Sequence, residues 1–277
     1  MRLATYNVRL LCLAGRGGRH PKSRRSWRAV AQVIDLLQAD VLALQEVGSP
    51  EALVELQSLL AAPYPHAHFC PTNSRLGIHL AVLSRRPIDV ASHRDVLLRC
   101  PDGEPLHDHP NREAAREGQL SPLRFQRDLP RVSLEGEGGG FARVFVAHLK
   151  SLRSYPWMRH TAGAIRSAEA RAAAHLMQQH LHEPCVLLGD FNAPPRDVSL
   201  APLCASEHWW DPIAAEQEPS GALVPTYRSG VHSNRIDFAL LSPKARSHYQ
   251  PGSARIHTEG PTALASDHLP LSVELAL

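Results

Sequence analysis

Eight polar residues sit inside or directly beside apolar runs of this sequence: Asn7, Glu46, His148, Asp190, Asn192, Asp237, Asp267 and His268. Unpaired polar groups are costly in such places, and charges more so. Each therefore needs a partner or a task. The most informative stretch is Val186-Leu187-Leu188-Gly189-Asp190-Phe191-Asn192-Ala193-Pro194, where an apolar run stops at a glycine and a carboxylate and an amide follow at once. A buried strand that ends this way delivers both side chains to the rim of a sheet, where ligands usually bind. The pair suits activation of water, with the carboxylate taking a proton and the amide donating to developing negative charge. The same letters also describe a strand-to-loop turn, because Asp and Asn favour turns and Pro194-Pro195 would end one. The others have ordinary readings too: Asn7 as a turn residue, Glu46 as a strand-end acid, His148 as a satisfied core histidine. Four acids at strand ends (Glu46, Asp190, Asp237 and Asp267) are harder to explain one by one. If those ends converge, carboxylates without basic partners call for an oxygen-binding cation such as Mg²⁺ or Mn²⁺.

The elements that must position these residues can be read from periodicity. Residues 3–8 form a strand with Asn7 near its end, and the basic residues 15–25 form a loop whose charge reads as a solvated face. From Ser26, Val30, Val33, Ile34 and Leu37 fall at helical spacing. Residues 41–46 make a second buried strand that finishes on Glu46. Ser49-Pro50-Glu51 supplies an N-cap, a first-turn proline and an acid at the positive end of the dipole, with Leu53, Leu56 and Leu60 as the buried stripe. Short strands follow Pro63 and Pro65, the clearest over 78–83, and Arg86-Pro87 turns the chain into a strand over 88–98. Residues 99–122 carry no apolar period and read as a surface insertion. Their His107-Asp108-His109 is only a weak metal cluster, with no further ligand at suitable spacing. Residues 132–134 and 141–149 predict a hairpin through the glycine-rich 135–140, leading into His148-Leu149-Lys150-Ser151. Residues 160–181 form the longest helix, with Ile165, Ala168, Ala172 and Leu176 inward and Arg166 and Glu169 pairing outside. Strands over 235–241 and 271–277 close the chain, the second preceded by Ser266-Asp267-His268.

With 277 residues, 43% hydrophobic and 21% charged, the composition suits one soluble domain with a sizeable core. No apolar stretch is long enough to span a bilayer. Met1-Arg2 leads straight into a strand, so no secretory leader is expected. The five scattered cysteines form no Cys-x-x-Cys pair, which disfavours zinc knuckles and disulfide frameworks and fits a reducing cytoplasm. The net charge of +3 permits a polyanionic substrate without announcing a nucleic-acid binder. No obligate protein partner is evident.

Seven segments, taken in order, resemble the endonuclease/exonuclease/phosphatase superfamily: Ala4-Thr-Tyr-Asn7-Val-Arg9, Ala39-Asp-Val-Leu-Ala-Leu-Gln-Glu46-Val47, Ala81-Val-Leu-Ser-Arg85 with Pro87, His148-Leu-Lys-Ser151, Gly189-Asp-Phe-Asn192, Arg235-Ile-Asp237 and Ser266-Asp-His268. Each alone is weak, but the ordered set is specific. The resemblance implies an α/β (α+β) fold over 1–277, a four-layer αββα sandwich of two mixed sheets packed face to face with helices outside. It implies divalent-metal-dependent phosphoester hydrolysis with Mg²⁺ or Mn²⁺. Carried over residue by residue, Glu46 resembles the principal metal ligand, with Asn7 and Asp267 completing or assisting that site. Asp190 is similar to the water-activating aspartate and Asn192 to the phosphate-orienting amide. His268 resembles the histidine that contacts the scissile phosphate, oriented by Asp237, and His148 matches a further phosphate-facing position. Lys150 and Arg127 are candidate phosphate-contacting cations, with plain surface charge as the alternative. Val47-Gly48 after Glu46 departs from the apurinic-endonuclease branch, which has a lysine two residues after its glutamate. The expected substrate is DNA or another nucleotide-containing phosphodiester, with a rim of Arg153, Arg159, Arg166 and Arg171 to follow a phosphate backbone and Tyr155 and Trp157 to stack bases. A small phosphorylated molecule or phospholipid head group stays open as an alternative. So does a non-catalytic binding protein.

Overall fold

Alternation along the strands decides which side chains enter which layer. The computed structural model describes residues 1–14, 21–74, 76–135, 141–218 and 220–277. Of the expected basic loop, residues 15–20 lie outside those described, as do 136–140 of the expected hairpin turn. Eleven strands build two sheets: β1 (Arg2–Leu11), β2 (Val41–Val47), β3 (His66–Cys70), β4 (His79–Ser84), β5 (Ile88–Ala91), β6 (Arg131–Glu135), β7 (Phe141–His148), β8 (Cys185–Asp190), β9 (Asp237–Leu241), β10 (Arg255–Ile256) and β11 (Leu271–Glu274). The first sheet runs β10-β11-β1-β2-β4-β3 and the second β9-β8-β7-β6-β5. Each holds one parallel pair, β1 with β2 and β7 with β8, among antiparallel neighbours.

Leu3, Val41, Ala43, Val144, Val146, Val186, Leu188 and Ala239 meet in the core between the sheets. Ala4, Tyr6, Leu42 and Leu44 point the other way, onto α1 (Arg24–Leu37) and α2 (Pro50–Leu59). Phe145, Leu187 and Phe238 pack outward against Ile165, Ala168 and Met177 of α3 (Ala162–Gln178). This is the expected four-layer αββα sandwich. Ser49 caps α2 through the Ala52 amide, as its sequence predicts.

Three expectations need correction. The strand over 88–98 stops at Ala91, which pairs with Arg131. The next partner residue would be Pro130, which has no N–H to continue the ladder. The 99–122 insertion is more than a surface excursion. Leu106 and Ala114 are buried, the former within the α3 core, and backbone bonds link Leu98, Leu106 and Leu123 in sequence. Within it, Asp108 accepts from the Arg159 and His109 amides, while the rings of His107 and His109 turn to the carbonyls of Pro105 and Gln119. That triplet is a brace, not a metal cluster. On α3, Ala172 and Leu176 are only half-buried, and Arg166 and Glu169, expected outside, are 2% and 1% exposed. Both point at Lys150, just beyond the end of β7, whose backbone groups need partners.

Candidate active site

The inter-sheet face turns polar at one rim. Continuing Leu3-Thr5 leads to Asn7, Val144-Val146 to His148, and Val186-Leu188 to Asp190; Asp237 precedes Ala239-Leu241. The register puts Asp190 opposite His148 on one side and Asp237 on the other. Beneath them the buried pair Thr5 and Gln45 satisfy one another, forming a floor. Asn7 spans the sheets: its Nδ2 donates to Asp190 Oδ2 at 2.9 Å and lies 3.5 Å from Glu46 Oε1.

Glu46 breaks the alternation. Its φ of 67° coincides with a register shift between Gln45 and Val47, and its Oε2 accepts from the Leu10 amide at 2.9 Å. Of the five non-glycine residues with positive φ among the described residues, four (Arg9, Leu10, Glu46 and Asn192) lie at this rim. Strained backbone of this kind concentrates at functional sites. Gly189 is required by contact: at φ +146°, a Cβ would fall 1.9 Å from the Ala147 carbonyl oxygen. That closeness lets β8 hold Asp190 against His148. Asn192 donates its backbone N–H to Asp190 Oδ1 (2.8 Å) and its side-chain amide to the Leu149 carbonyl (2.9 Å).

On the second side, His268 Nδ1 binds Asp237 at 2.9 Å and its Nε2 faces Asp190 Oδ2 at 3.9 Å. His148 Nε2 lies 3.6 Å from the same oxygen. The start of β9 is fixed by Thr226, whose hydroxyl accepts from the Ile236 and Asp237 amides. Buried Arg235, held by Asp211 at 2.7 Å and Glu218 at 3.0 Å, anchors the same turn.

Environment separates the protonation states. Burial raises the Asp190 carboxyl to about 7; the His268 charge pulls it down, Asp237 pushes it up, and bonds from Asn192 and Asn7 lower it. For His268 burial acts downward, but the charge and hydrogen bond of Asp237, then Asp190 and Asp267, outweigh it and lift the ring to about 10. His148 is driven well below the ordinary histidine range by burial, then by the charges of Arg127 and His268. One buried carboxylate is thus flanked by a charged imidazolium and a neutral imidazole.

Asp190, Asp237 and His268 lie close enough together to suggest a metal cluster among the described residues. His268 turns Nδ1 to Asp237 and so has only Nε2 to offer that cluster, one nitrogen beside two carboxylates. The oxygens of Glu46 and Asp267 fit a hard cation better. Both lie in the electrostatic field of Lys22, and Arg9 Nε stands 3.4 Å from Asp267. In this rotamer Asn7 Oδ1 is taken by the Arg9 amide, so Asn7 ties Glu46 to Asp190 as a donor.

The eight strand-end residues therefore converge on one rim. Arg127 and Lys150 lie beside it and turn aside. Arg127 donates to the Leu149 carbonyl at 3.0 Å, and the Lys150 ammonium binds the carbonyls of Ser151 and Arg153. Arg166, expected on an arginine rim, instead donates to the Lys150 carbonyl and the Ser199 hydroxyl. Sequence reasoning missed Arg9, Lys22 and Tyr227, whose ring lies tilted against His268 with centroids 5.0 Å apart. Only Arg9 left a trace, two residues beyond Asn7 on the same strand.

The chain is thus a mixed two-sheet sandwich with acids and histidines gathered at one rim. A sequence model of the Endonuclease/Exonuclease/phosphatase family matches residues 4–268, and the chain belongs to that family, whose members are generally metal-dependent hydrolases of phosphoester bonds. No curated protein matches the sequence. Among solved structures, the human Nocturnin catalytic domain with bound sulfate is similar at 20% identity and a TM-score of 0.65, covering 99% of this chain and 93% of that one. An endonuclease/exonuclease/phosphatase protein from Beutenbergia cavernae is similar at 22% identity and a TM-score of 0.65, covering 98% and 70%. An AP endonuclease from Archaeoglobus fulgidus shares 14% identity at a TM-score of 0.63 over 100% of both chains. At these identities the likeness concerns the fold. No helix among the described residues is long and apolar enough to cross a membrane.

Proposed function

We propose that residues 1–277 act as one catalytic domain that hydrolyses phosphodiesters of nucleotides or DNA, with Mg²⁺ or Mn²⁺ as cofactor. The observation that carries this reading is the setting of Asp190, a buried carboxylate between His268 and His148 with two amide donors upon it. Glu46 and Asp267 would hold the cation, with Asn7 steadying Glu46. When bound, the cation offsets the negative charge of the phosphoryl group. Asp190 takes a proton from a water molecule as its oxygen attacks phosphorus in line with the leaving group. The phosphorus–oxygen bond opposite breaks, and no covalent enzyme intermediate forms. The His268 imidazolium, aligned by Asp237, and the Asn192 amide donate to the phosphoryl oxygens as charge accumulates. Neutral His148 offers a further donor. Five free cysteines fit a reducing, cytoplasmic setting.

The test is turnover by the purified protein with Mg²⁺ and with Mn²⁺ against plasmid DNA, single-stranded DNA, RNA, bis-p-nitrophenyl phosphate and a panel of phosphomonoesters. Cation-dependent cleavage of diesters supports the proposal, and preference for monoesters alone redirects it to phosphatase chemistry.

A further inference from the structure

Next to the catalytic rim lies a hollow of about 430 Å³ that the chemistry above does not use. Its size falls in the range of small-molecule sites, roughly 300–1,000 Å³. One wall is the 99–122 insertion and another is the loop that follows Lys150. A single carbonyl joins it to the reaction centre: Leu149 O accepts from Asn192 at 2.9 Å and from Arg127, which lines the hollow, at 3.0 Å.

Two features of the lining specify a ligand. The first is charge. Arg124, Arg127, Lys150 and Arg153 face it against one carboxylate, Asp108, which already accepts two backbone N–H groups. Arg127 is 6% exposed, and its Nε is buried without a partner. A buried guanidinium with an idle donor is expensive unless an anion completes it. The second is a flat apolar platform. Tyr155 and Trp157 are stacked with centroids 4.5 Å apart and planes 16° apart, and Arg153 lies over the Tyr155 ring. Bonds between Tyr155 and Met158 fix the turn that carries them. The platform is thus ordered before any ligand arrives, which lowers the cost of stacking a ring on it.

From this pairing of a planar apolar ring face with the incompletely paired guanidinium of Arg127 we infer that the hollow binds a nucleoside phosphate portion of the substrate. The base stacks on the outer face of Trp157, whose other face rests on Tyr155, and a phosphate other than the scissile one meets Arg127 and Arg153. A duplex cannot enter a recess walled by the insertion, whereas a mononucleotide or a single unstacked nucleotide can. A choline head group can set its quaternary ammonium on the Trp157 face, but the four cations that line the hollow repel it there. The inference rests on the phosphodiester reading only for the position of the scissile phosphate.

The experiment is calorimetric binding to the wild-type protein, with EDTA and with Mg²⁺, of ADP, inorganic pyrophosphate, adenosine, phosphocholine and a short DNA duplex. ADP is expected to bind tightest. Trp157→Ala should weaken ADP about tenfold, as expected for loss of a base-stacking partner, and leave pyrophosphate unchanged, while Trp157→Phe restores ADP binding. Arg153→Ser should weaken both anions. Thermal unfolding of each variant establishes that it is folded. The inference is overturned if ADP fails to bind under either condition, if pyrophosphate, phosphocholine or the duplex binds as tightly as ADP, or if Trp157→Ala leaves ADP binding unchanged. Binding is read without turnover. ADP binding by a protein that hydrolyses no phosphoester would sink the catalytic reading alone, and phosphodiester hydrolysis together with ADP binding indifferent to Trp157 would sink this inference alone.

Discussion

Replacing Glu169 with glutamine tests how the active-site rim is held. Glu169 sits on α3, fully buried, with Oε1 accepting from the Gln126 amide at 2.9 Å and Oε2 from the Lys150 amide at 2.6 Å. It thereby clamps both segments that flank the rim, the one carrying Arg127 and the one carrying His148. Hydrogen bonds to a charged partner contribute about 1.5–3 kcal/mol each. Glutamine keeps one acceptor and turns an NH₂ group against the other backbone N–H, so one bond is lost and a buried donor is left unpaired. Burial raises the Glu169 carboxyl, and removing its charge recovers part of that desolvation cost. The net expectation for Glu169→Gln is a loss of about 2 kcal/mol, or roughly 5 °C in Tm for a domain of this size. Activity should fall further, about tenfold to a hundredfold in kcat/KM, because the Leu149 carbonyl that anchors Asn192 shifts with Lys150. The outward Arg166–Glu169 pair expected from helix periodicity would lose no more than about 0.5 kcal/mol and no activity. Urea unfolding with steady-state kinetics separates the two. A variant as stable and as active as wild type would refute the clamp.

Other perturbations have equally definite outcomes. Gly189→Ala places a methyl 1.9 Å from the Ala147 carbonyl and must part β7 from β8; we expect a loss above about 4 kcal/mol, visible as insoluble or unfolded protein, and a soluble variant with native Tm would contradict the close approach. The pH–rate profile should be bell-shaped. Activity needs ionised Asp190 and is lost as pH falls through about 7, or lower when a cation is bound; it needs protonated His268 and is lost as pH rises through about 10. Asp237→Asn removes the main charge that holds the His268 proton, so the basic limb should move toward neutrality and kcat should fall at least about a hundredfold; an unmoved limb counts against the pairing. Burial depresses His257 to about 4, with its Nε2 on the Ser272 hydroxyl. The unfolded chain therefore binds more protons between about pH 4 and 6.5, and His257 favours folding fully above that window and progressively less within it. The shift corresponds to about 3 kcal/mol at most, and to about 1–2 kcal/mol after solvent screening at its open edge. Between pH 7 and pH 5, about half of that change should appear in wild type and be missing from His257→Gln, as read by denaturation of both.

Much of the fold was legible because the strands obey alternation. Val186-Leu188-Asp190 and Val144-Val146-His148 carry the information that the inter-sheet face turns polar at its end. What local pattern could not supply was long-range pairing. Glu46 has the wrong parity for the site and reaches it only through a positive-φ backbone and a register shift. Arg166 and Glu169 are polar letters on a helix, and periodicity places such letters outside unless distant backbone groups, here at Gln126 and Lys150, need them. The 88–98 segment kept an apolar character, yet its pairing ended where Pro130 denies the next hydrogen bond. Arg127 and Lys150 lie beside the site, while their bonds to loop carbonyls, set by tertiary contacts, left no mark in spacing.

The central claim is that Asp190 is the base in a cation-dependent attack of water on a phosphodiester. Its most direct test is cleavage of bis-p-nitrophenyl phosphate and single-stranded DNA by wild type and Asp190→Asn, with Mg²⁺, with Mn²⁺ and with EDTA. Loss of a general base lowers turnover by about 10²–10⁴. The account predicts a fall of that size in the variant, with Tm within a few degrees of wild type, and loss of wild-type turnover in EDTA. Undiminished turnover by Asp190→Asn, or wild-type cleavage that persists in EDTA, would contradict it.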